Sequence, residues 1–243
     1  MGERRDKLPT ATSSGDVDTF LTKVAATPRK APLGARGRLV FAMDATASRQ
    51  PSWDRACRYQ SELFHAAEEH GGLDVQLVFY RGFMECRASP WTSDAATLRR
   101  KMTSVSCLGG MTQIGRVLTH ALRENAKQPI QALVFVGDCV EEHVDDLCNK
   151  AGELGLRGVP VFIFHEGSEP IAENAFRQIA RLSKGAYCRL DATSGEQLRA
   201  LLSAIAVFAA GGQLALEQHG KGNVEARRIA EQLRLTHDSA GKS

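Results

Sequence analysis

The chain has 243 residues, 43% of them hydrophobic and 24% charged, which is the balance of a globular protein and not of a disordered or fibrous one. That length suits one α/β domain with extensions, because a single core grows to roughly 250 residues before it divides. The formal charge of +3 traces to residues 1–37, which hold seven Lys/Arg against four Asp/Glu, and the neutral remainder argues against a nucleic-acid partner. No apolar run reaches the roughly 20 residues that cross a bilayer, and no apolar signal core follows Arg4, Arg5 and Lys7. The expected location is therefore the cytoplasm, away from any membrane. Cys57, Cys86, Cys107, Cys139, Cys148 and Cys188 show neither C-x-x-C nor Cys/His metal spacing, and they read as reduced thiols lining a core in a reducing compartment.

Residues 1–37 are polar and interrupted by Pro9, Pro28 and Pro32, so a flexible basic tail is expected there. Inside it, Ser14 to Ala25 sets apolar residues at helical spacing behind capping residues; this short amphipathic helix either docks on the body or stays solvated. The domain itself is expected over residues 38–212. It opens with a β-branched and aromatic run from Arg38 to Met43 that ends in Asp44-Ala-Thr46-Ala-Ser48, a buried strand tipped with a carboxylate and two hydroxyls. Ser52 to His70 then places Trp53, Ala56, Cys57, Leu63, Phe64 and Ala67 on one helical face, with Gly71-Gly72 closing the helix. Leu73 to Tyr80 is the second strand and Arg81-Gly82 a tight turn. Phe83 to Ser89 mixes apolar residues with Glu85 and Arg87 ahead of Pro90, a composition that suits a short antiparallel edge strand.

A helix from Asp94 to about Ser106 follows, then a glycine-rich loop, Gly109-Gly110-Met-Thr112-Gln-Ile-Gly115, feeding a helix over Arg116–Lys127. Gln131 to Asp138 repeats the opening pattern of an apolar strand ending on a carboxylate. Thereafter helix and strand alternate: Val144–Leu156, Val159–Phe164, Glu173–Leu182, Ala186–Leu190 and Ser194–Ala210, closed by Gly211-Gly212. Residues 213–243 form a polar C-terminal extension with one further helical pattern. The alternation predicts a doubly wound, mostly parallel six-stranded α/β sheet with one antiparallel edge strand and helices on both faces.

In such sheets ligands sit beyond the carboxyl ends of the strands where the winding reverses. If the strands ending at Asp44 and Asp138 are central neighbours, Asp44, Thr46, Ser48, Thr112 and Asp138 converge on one rim. Oxygen donors of this kind suit hard cations such as Mg²⁺. Taken locally, the same residues only turn the chain and cap the next helix.

The order Asp44-x-Thr46-x-Ser48, then Gly110-x-Thr112-x-x-Gly115, then Asp138 after an apolar strand resembles the metal-ion-dependent adhesion site (MIDAS) of von Willebrand factor type A domains, over residues 38 to about 210. More narrowly, it is similar to bacterial intracellular proteins of that type. The resemblance implies a Rossmann-like fold and a divalent cation, Mg²⁺ or else Mn²⁺ or Ca²⁺. Thr46, Ser48 and Thr112 would supply hydroxyl oxygens, Thr112 directly or through water, and Asp44 and Asp138 would act largely through bound waters. Two departures stand out: Thr46 where the family has serine, and Cys139 where it has glycine.

Hydroxyl ligands quench little of the ion's charge, so an acidic residue of a partner protein is its natural further ligand. The resulting expectation is a non-enzymatic, metal-dependent protein-interaction module whose partner is a chaperone, an ATPase or another component of an assembly, with nothing in these residues choosing among them. The alternatives are a Mg²⁺-dependent phosphoryl-transfer or hydrolytic enzyme and a metal-free scaffold. Thr46 stands where an Asp-x-Asp nucleophile motif needs its second carboxylate, and no P-loop or G-x-S-x-G elbow is present. His165 beside Glu166 reads as a rim hydrogen bond more readily than as an acid/base pair. Glu141, Glu142 and His143 either shape the rim's charge or form a solvated helix start, and Arg81 reads as a solvated turn residue more readily than as one reaching for a partner carboxylate.

Overall fold

The computed structural model describes residues 19–20, 22–24, 36–190 and 195–221. Six strands form one sheet: β1 (Gly37–Asp44), β2 (Leu73–Arg81), β3 (Glu85–Ala88), β4 (Ala132–Gly137), β5 (Val161–Glu166) and β6 (Ala186–Leu190). Their order is β3-β2-β1-β4-β5-β6, with β3 alone antiparallel to its neighbour. The helices are α1 (Gln50–Tyr59), α2 (Ser61–Glu68), α3 (Ala95–Thr103), α4 (Ile114–Lys127), α5 (Val144–Leu156), α6 (Pro170–Leu182) and α7 (Gly195–Lys221).

Every residue of β1 is buried, as a central strand covered on both faces requires. Side chains alternate along it: Leu39, Phe41 and Met43 join one apolar layer with α1, α2, α3 and α7, whereas Val40 and Ala42 join the layer under α4, α5 and α6. Trp53 carries its indole across the first layer, where Nε1 donates to the Met102 carbonyl at 2.9 Å. The helical residues 19–20 and 22–24 reach that layer too. Phe20 and Val24 are fully buried, and the Phe20 ring lies 5.9 Å from Phe162 and 5.4 Å from Phe164. Burying one such ring stabilises by about 1.5–3 kcal/mol, which offsets part of the entropy cost of ordering the segment. The rest of the expected tail, most of the C-terminal extension and residues 191–194 lie outside the described residues.

The single helix expected over Ser52–His70 is two, α1 and α2, meeting at Gln60. There the Gln60 N–H bonds the Ala56 carbonyl while Leu63 N–H bonds Gln60 itself, a three-residue step that tightens the turn. The first of the pair begins early because Pro51 occupies its first turn. Asp94 and Glu169 stand outside α3 and α6 as side-chain caps. Gly211-Gly212 closes the first part of α7 as expected: Gly212 takes the non-helical φ 76°, ψ −165°, and a second helical stretch runs on from the kink to Lys221. Among the described residues no helix is long and apolar enough to cross a membrane, and all six cysteines are free thiols.

Candidate functional site at the carboxyl edge of β1 and β4

β1 and β4 are parallel neighbours with Met43 beside Val136, so the chain leaves both strands at the same edge and the winding direction reverses between them. A Cβ at Gly137 would meet the Phe135 ring at 2.8 Å, and it would lie at ordinary contact distance, 3.8 Å, from the Asp44 Cβ across the two exits.

Asp44 is 1% exposed. Its Oδ1 accepts the Thr46 N–H at 2.7 Å, which is why the chain turns immediately after the strand. Oδ2 is buried with no hydrogen-bond partner among the described residues. Tyr80 is its register neighbour on β2. The Tyr80 hydroxyl, also buried, has no hydrogen bond of good geometry among the described residues, although it lies close enough to the Asp44 carboxylate to interact with it. Burial, and secondarily Asp44, push the Tyr80 phenol well above its usual range. Burial also holds the Asp44 carboxyl above the ordinary aspartate range; the Thr46 hydrogen bonds oppose that rise and the nearby Asp138 charge adds to it.

Ser48 donates to Asp138 Oδ2 at 3.3 Å. Thr112 enters through a reciprocal clasp: its N–H donates to Glu141 Oε2 at 2.8 Å, and the Glu141 N–H donates to Thr112 Oγ1 at 3.0 Å. Leu108 N–H bonds the Ala45 carbonyl at 2.9 Å, tying the Thr112 loop to the turn after β1. Asp44 and Thr46 are thus joined directly, Ser48 and Asp138 are joined directly, and Thr112 is joined to the segment that Asp138 begins.

The donor set is compatible with a hard divalent ion: a buried carboxylate oxygen without a well-formed hydrogen bond among the described residues, three hydroxyls and a second carboxylate. No group of three or more His, Cys, Asp or Glu among the described residues could hold a metal, so an ion here depends on hydroxyls and water. One feature works against it. Arg49, 5% exposed, lies with Nη1 3.4 Å from Asp138 Oδ2 and Nη2 2.5 Å from Glu166 Oε2, while its Nε has no partner among the described residues. Burial alone would lower the guanidinium's pKa, but Glu166 and Asp138 outweigh it and the net direction is upward.

No family model and no curated protein sequence matches the chain. Among solved structures it is similar to the SpRpn10 VWA domain, at 14% identity and TM-score 0.55, covering 69% of this chain and 94% of that one. It is similar to the vWF domain of the type V pili tip protein Mfa5 from Porphyromonas gingivalis, at 12% identity and TM-score 0.56, covering 72% and 95%. The mussel byssus proximal thread matrix protein 1 with a zinc-occupied MIDAS motif aligns at 12% identity and TM-score 0.53, covering 72% of this chain and 46% of that one. The fold is that of von Willebrand factor type A domains.

On this type A fold the charged cluster behind the rim was not foreseen. Glu166 receives Arg49, Arg55 at 3.2 Å and the Ser52 hydroxyl. One signal existed: β5, like β1 and β4, is an apolar run that ends on a carboxylate. His165 does not pair with the Glu166 side chain. Alternation sends it to the opposite face, where Nδ1 bonds the Tyr187 hydroxyl at 2.8 Å and Nε2 bonds the Asp138 carbonyl at 3.3 Å; burial lowers its pKa, so the neutral ring is favoured. Glu142 serves not its own helix but α4, accepting from Ile114 N–H at 2.5 Å and Gly115 N–H at 2.8 Å. Arg81 is engaged as well, through Glu85 at 2.9 Å and the Ser106 carbonyl at 2.7 Å.

Proposed function

We propose that this chain is a protein-interaction module in which Asp44, Thr46, Ser48, Thr112 and Asp138 hold a divalent cation, Mg²⁺ or Mn²⁺ or Ca²⁺, that captures an Asp or Glu side chain of a partner protein. The observation that carries the reading is Asp44 Oδ2, a buried carboxylate oxygen without a well-formed hydrogen bond among the described residues, on the edge where ligands meet this kind of sheet and where the segments carrying the Thr46, Ser48 and Thr112 hydroxyls also arrive. An unpaired buried ionised group costs several kcal/mol, and a cation removes that cost directly. When bound, the ion supplies a positive centre that neutral hydroxyls leave largely unquenched. Thr46 N–H fixes one oxygen of Asp44, Ser48 orients Asp138, and the Glu141 clasp holds the Thr112 loop against the rim. The mussel protein with zinc in a MIDAS motif lends support by analogy alone.

A metal-free scaffold is the second reading, favoured by the Arg49 contact with Asp138. Metal-dependent thermal stabilisation separates the two: Mg²⁺ or Mn²⁺ raises the melting temperature of the wild-type chain and leaves Asp44→Ala unchanged. Equal melting curves with and without the ion would remove the first reading. For a phosphoryl-transfer or hydrolytic enzyme the described residues lend nothing comparable, since His165 is turned to Tyr187 and the place of a second nucleophile-motif carboxylate is held by Thr46.

A further inference from the structure

We propose that Tyr80 is a positioning residue of the cation site: with the ion bound, its neutral hydroxyl donates a hydrogen bond to Asp44 Oδ2 and so stabilises and aims the carboxylate that the ion uses. The inference rests on the cation reading of the preceding subsection and adds to it a residue that supplies no ligand of its own.

Register and alternation bring the two groups together. Tyr80 stands beside Asp44 across the parallel strands β1 and β2, the Ala45 N–H bonds the Tyr80 carbonyl at 2.9 Å, and paired residues of neighbouring strands project to the same face. That face is the layer under α4, α5 and α6, where Tyr80, Ala42 and Phe135 lie together. Tyr80 is 0% exposed. Its ring stacks on Phe135, with centroids 6.3 Å and planes 18° apart, and the Phe135 ring occupies the space that glycine leaves at position 137. Held between β2 and β4, the phenol has no route by which its hydroxyl turns out to water.

Asp44 Oδ2, the Tyr80 hydroxyl and Arg49 Nε are three of the four buried side-chain N or O atoms with no well-formed hydrogen bond among the described residues. Such atoms are rare in folded proteins, and three of them around one rim point to something this edge is built to receive. Arg49 is the poorer partner for Asp44. Its Nη1 and Nη2 are committed to Asp138 and Glu166, and a guanidinium repels the ion that Asp44 would hold. Tyr80 carries no such penalty, because burial, then Asp44, and beyond it Glu142 and Asp138, keep the phenol far from ionising. A neutral donor stabilises a carboxylate without competing with a cation for it. The hydroxyl hydrogen rotates about its C–O bond and the carboxyl about its soft last torsion, so one charge-assisted hydrogen bond satisfies both atoms. Oδ1 is already fixed by the Thr46 N–H; Tyr80 fixes the other oxygen, and each keeps a second lone pair for the ion or its water.

The test compares wild type, Tyr80→Phe and Asp44→Ala, each as the full chain, by calorimetric titration with Mn²⁺, by thermal melting in metal-free buffer, and by NMR of chains carrying ¹³C at the tyrosine ζ carbon. Tyr80→Phe removes one oxygen and keeps the ring on Phe135, so the fold is retained. Its Mn²⁺ affinity should fall about tenfold or more, the loss of a hydrogen bond to a charged acceptor. Its metal-free melting temperature should be unchanged or higher, because the deleted hydroxyl had no well-formed bond to lose; a hydroxyl with a purely structural role would move it down. Among the three tyrosine signals, the one absent from Tyr80→Phe should shift when Mg²⁺ is added to wild type. Equal Mn²⁺ affinities, a lower metal-free melting temperature in Tyr80→Phe, or a Tyr80 signal indifferent to bound Mg²⁺ would each overturn the role of Tyr80, and would leave the cation reading standing as long as wild type binds Mn²⁺ and Asp44→Ala does not. Wild type that binds no Mn²⁺, or Asp44→Ala that binds it equally well, sinks the cation reading and this inference with it.

Discussion

The Arg49 guanidinium lies 3.4 Å from the Asp138 carboxylate that a cation on this rim would use. A tethered positive charge and a divalent ion therefore compete for the same oxygen. At a separation near 4 Å and a near-surface dielectric, one unit charge is worth up to about 4 kcal/mol. Replacing Arg49 with methionine, which keeps much of the stem's volume, should tighten Mn²⁺ binding by about tenfold or more, roughly 1.4 kcal/mol. Isothermal titration of the full chain decides the matter. Equal affinities for wild type and Arg49→Met would mean that the two cations do not share Asp138.

Behind that contact, Glu166 gathers Arg49, Arg55 and the Ser52 hydroxyl with a side chain only 9% exposed. Removing one partner of a buried ion pair strands the others, at a typical cost of about 3–5 kcal/mol. Glu166→Ala should therefore lose about 3 kcal/mol in urea unfolding. Glu166→Gln, which keeps an acceptor for Ser52 and one arginine, should lose less. A loss below about 1 kcal/mol in the alanine variant would show that water reaches these charges and screens them.

Asp44 gives the opposite sign. Because burial raises its folded-state pKa, the folded chain keeps a proton at pH values where the unfolded chain has released it. Ionisation then costs the folded state stability. That cost is absent below the unfolded aspartate value, near pH 4, and is fully developed once the pH has risen past the folded value. Asp44→Asn retains an oxygen for the Thr46 N–H and should be more stable than wild type at about pH 7 in metal-free buffer, the difference closing as the pH falls toward about 4. Urea unfolding across that range measures it. A gap that stays constant with pH would show that charge at position 44 is not the cause.

What sequence made legible here was whatever repeats locally. Apolar strands that stop at Asp44 and Asp138 announced the carboxyl edge, because a buried central strand has to be apolar on both faces and its first polar residue marks the exit. The limits of α5 and β6 agreed to the residue, because their ends coincide with changes in hydrophobic pattern. Arg49, Ser52 and Arg55 were not legible. In the turn before a short helix and on one face of it they look solvated, and only the fold brings Glu166 across to them. Phe20 was legible as part of an amphipathic turn but not as core, since its cover is the pair Phe162 and Phe164, far along the chain. The exposed Phe83 and Met84 were read as edge-strand residues, and nothing in their spacing announced the loop that would lie beside them.

The cap on α4 offers a last prediction that joins stability to the rim. Gln113, the residue before the helix, makes no side-chain cap, so the first amides of α4 depend on a carboxylate supplied from the far side of Asp138. Glu142 accepts from Ile114 and Gly115, where the positive end of the helix favours a negative charge. Glu142→Ala should cost about 1–2 kcal/mol, the range for losing a cap, and should speed hydrogen exchange at the Ile114 and Gly115 amides before the sheet is affected. Because Thr112 stands two residues upstream, on the loop those amides anchor, the same variant should weaken Mn²⁺ binding while leaving the sheet intact. If exchange at Ile114 and Gly115 is unchanged, the cap is dispensable and the Glu141 clasp alone holds Thr112 in place.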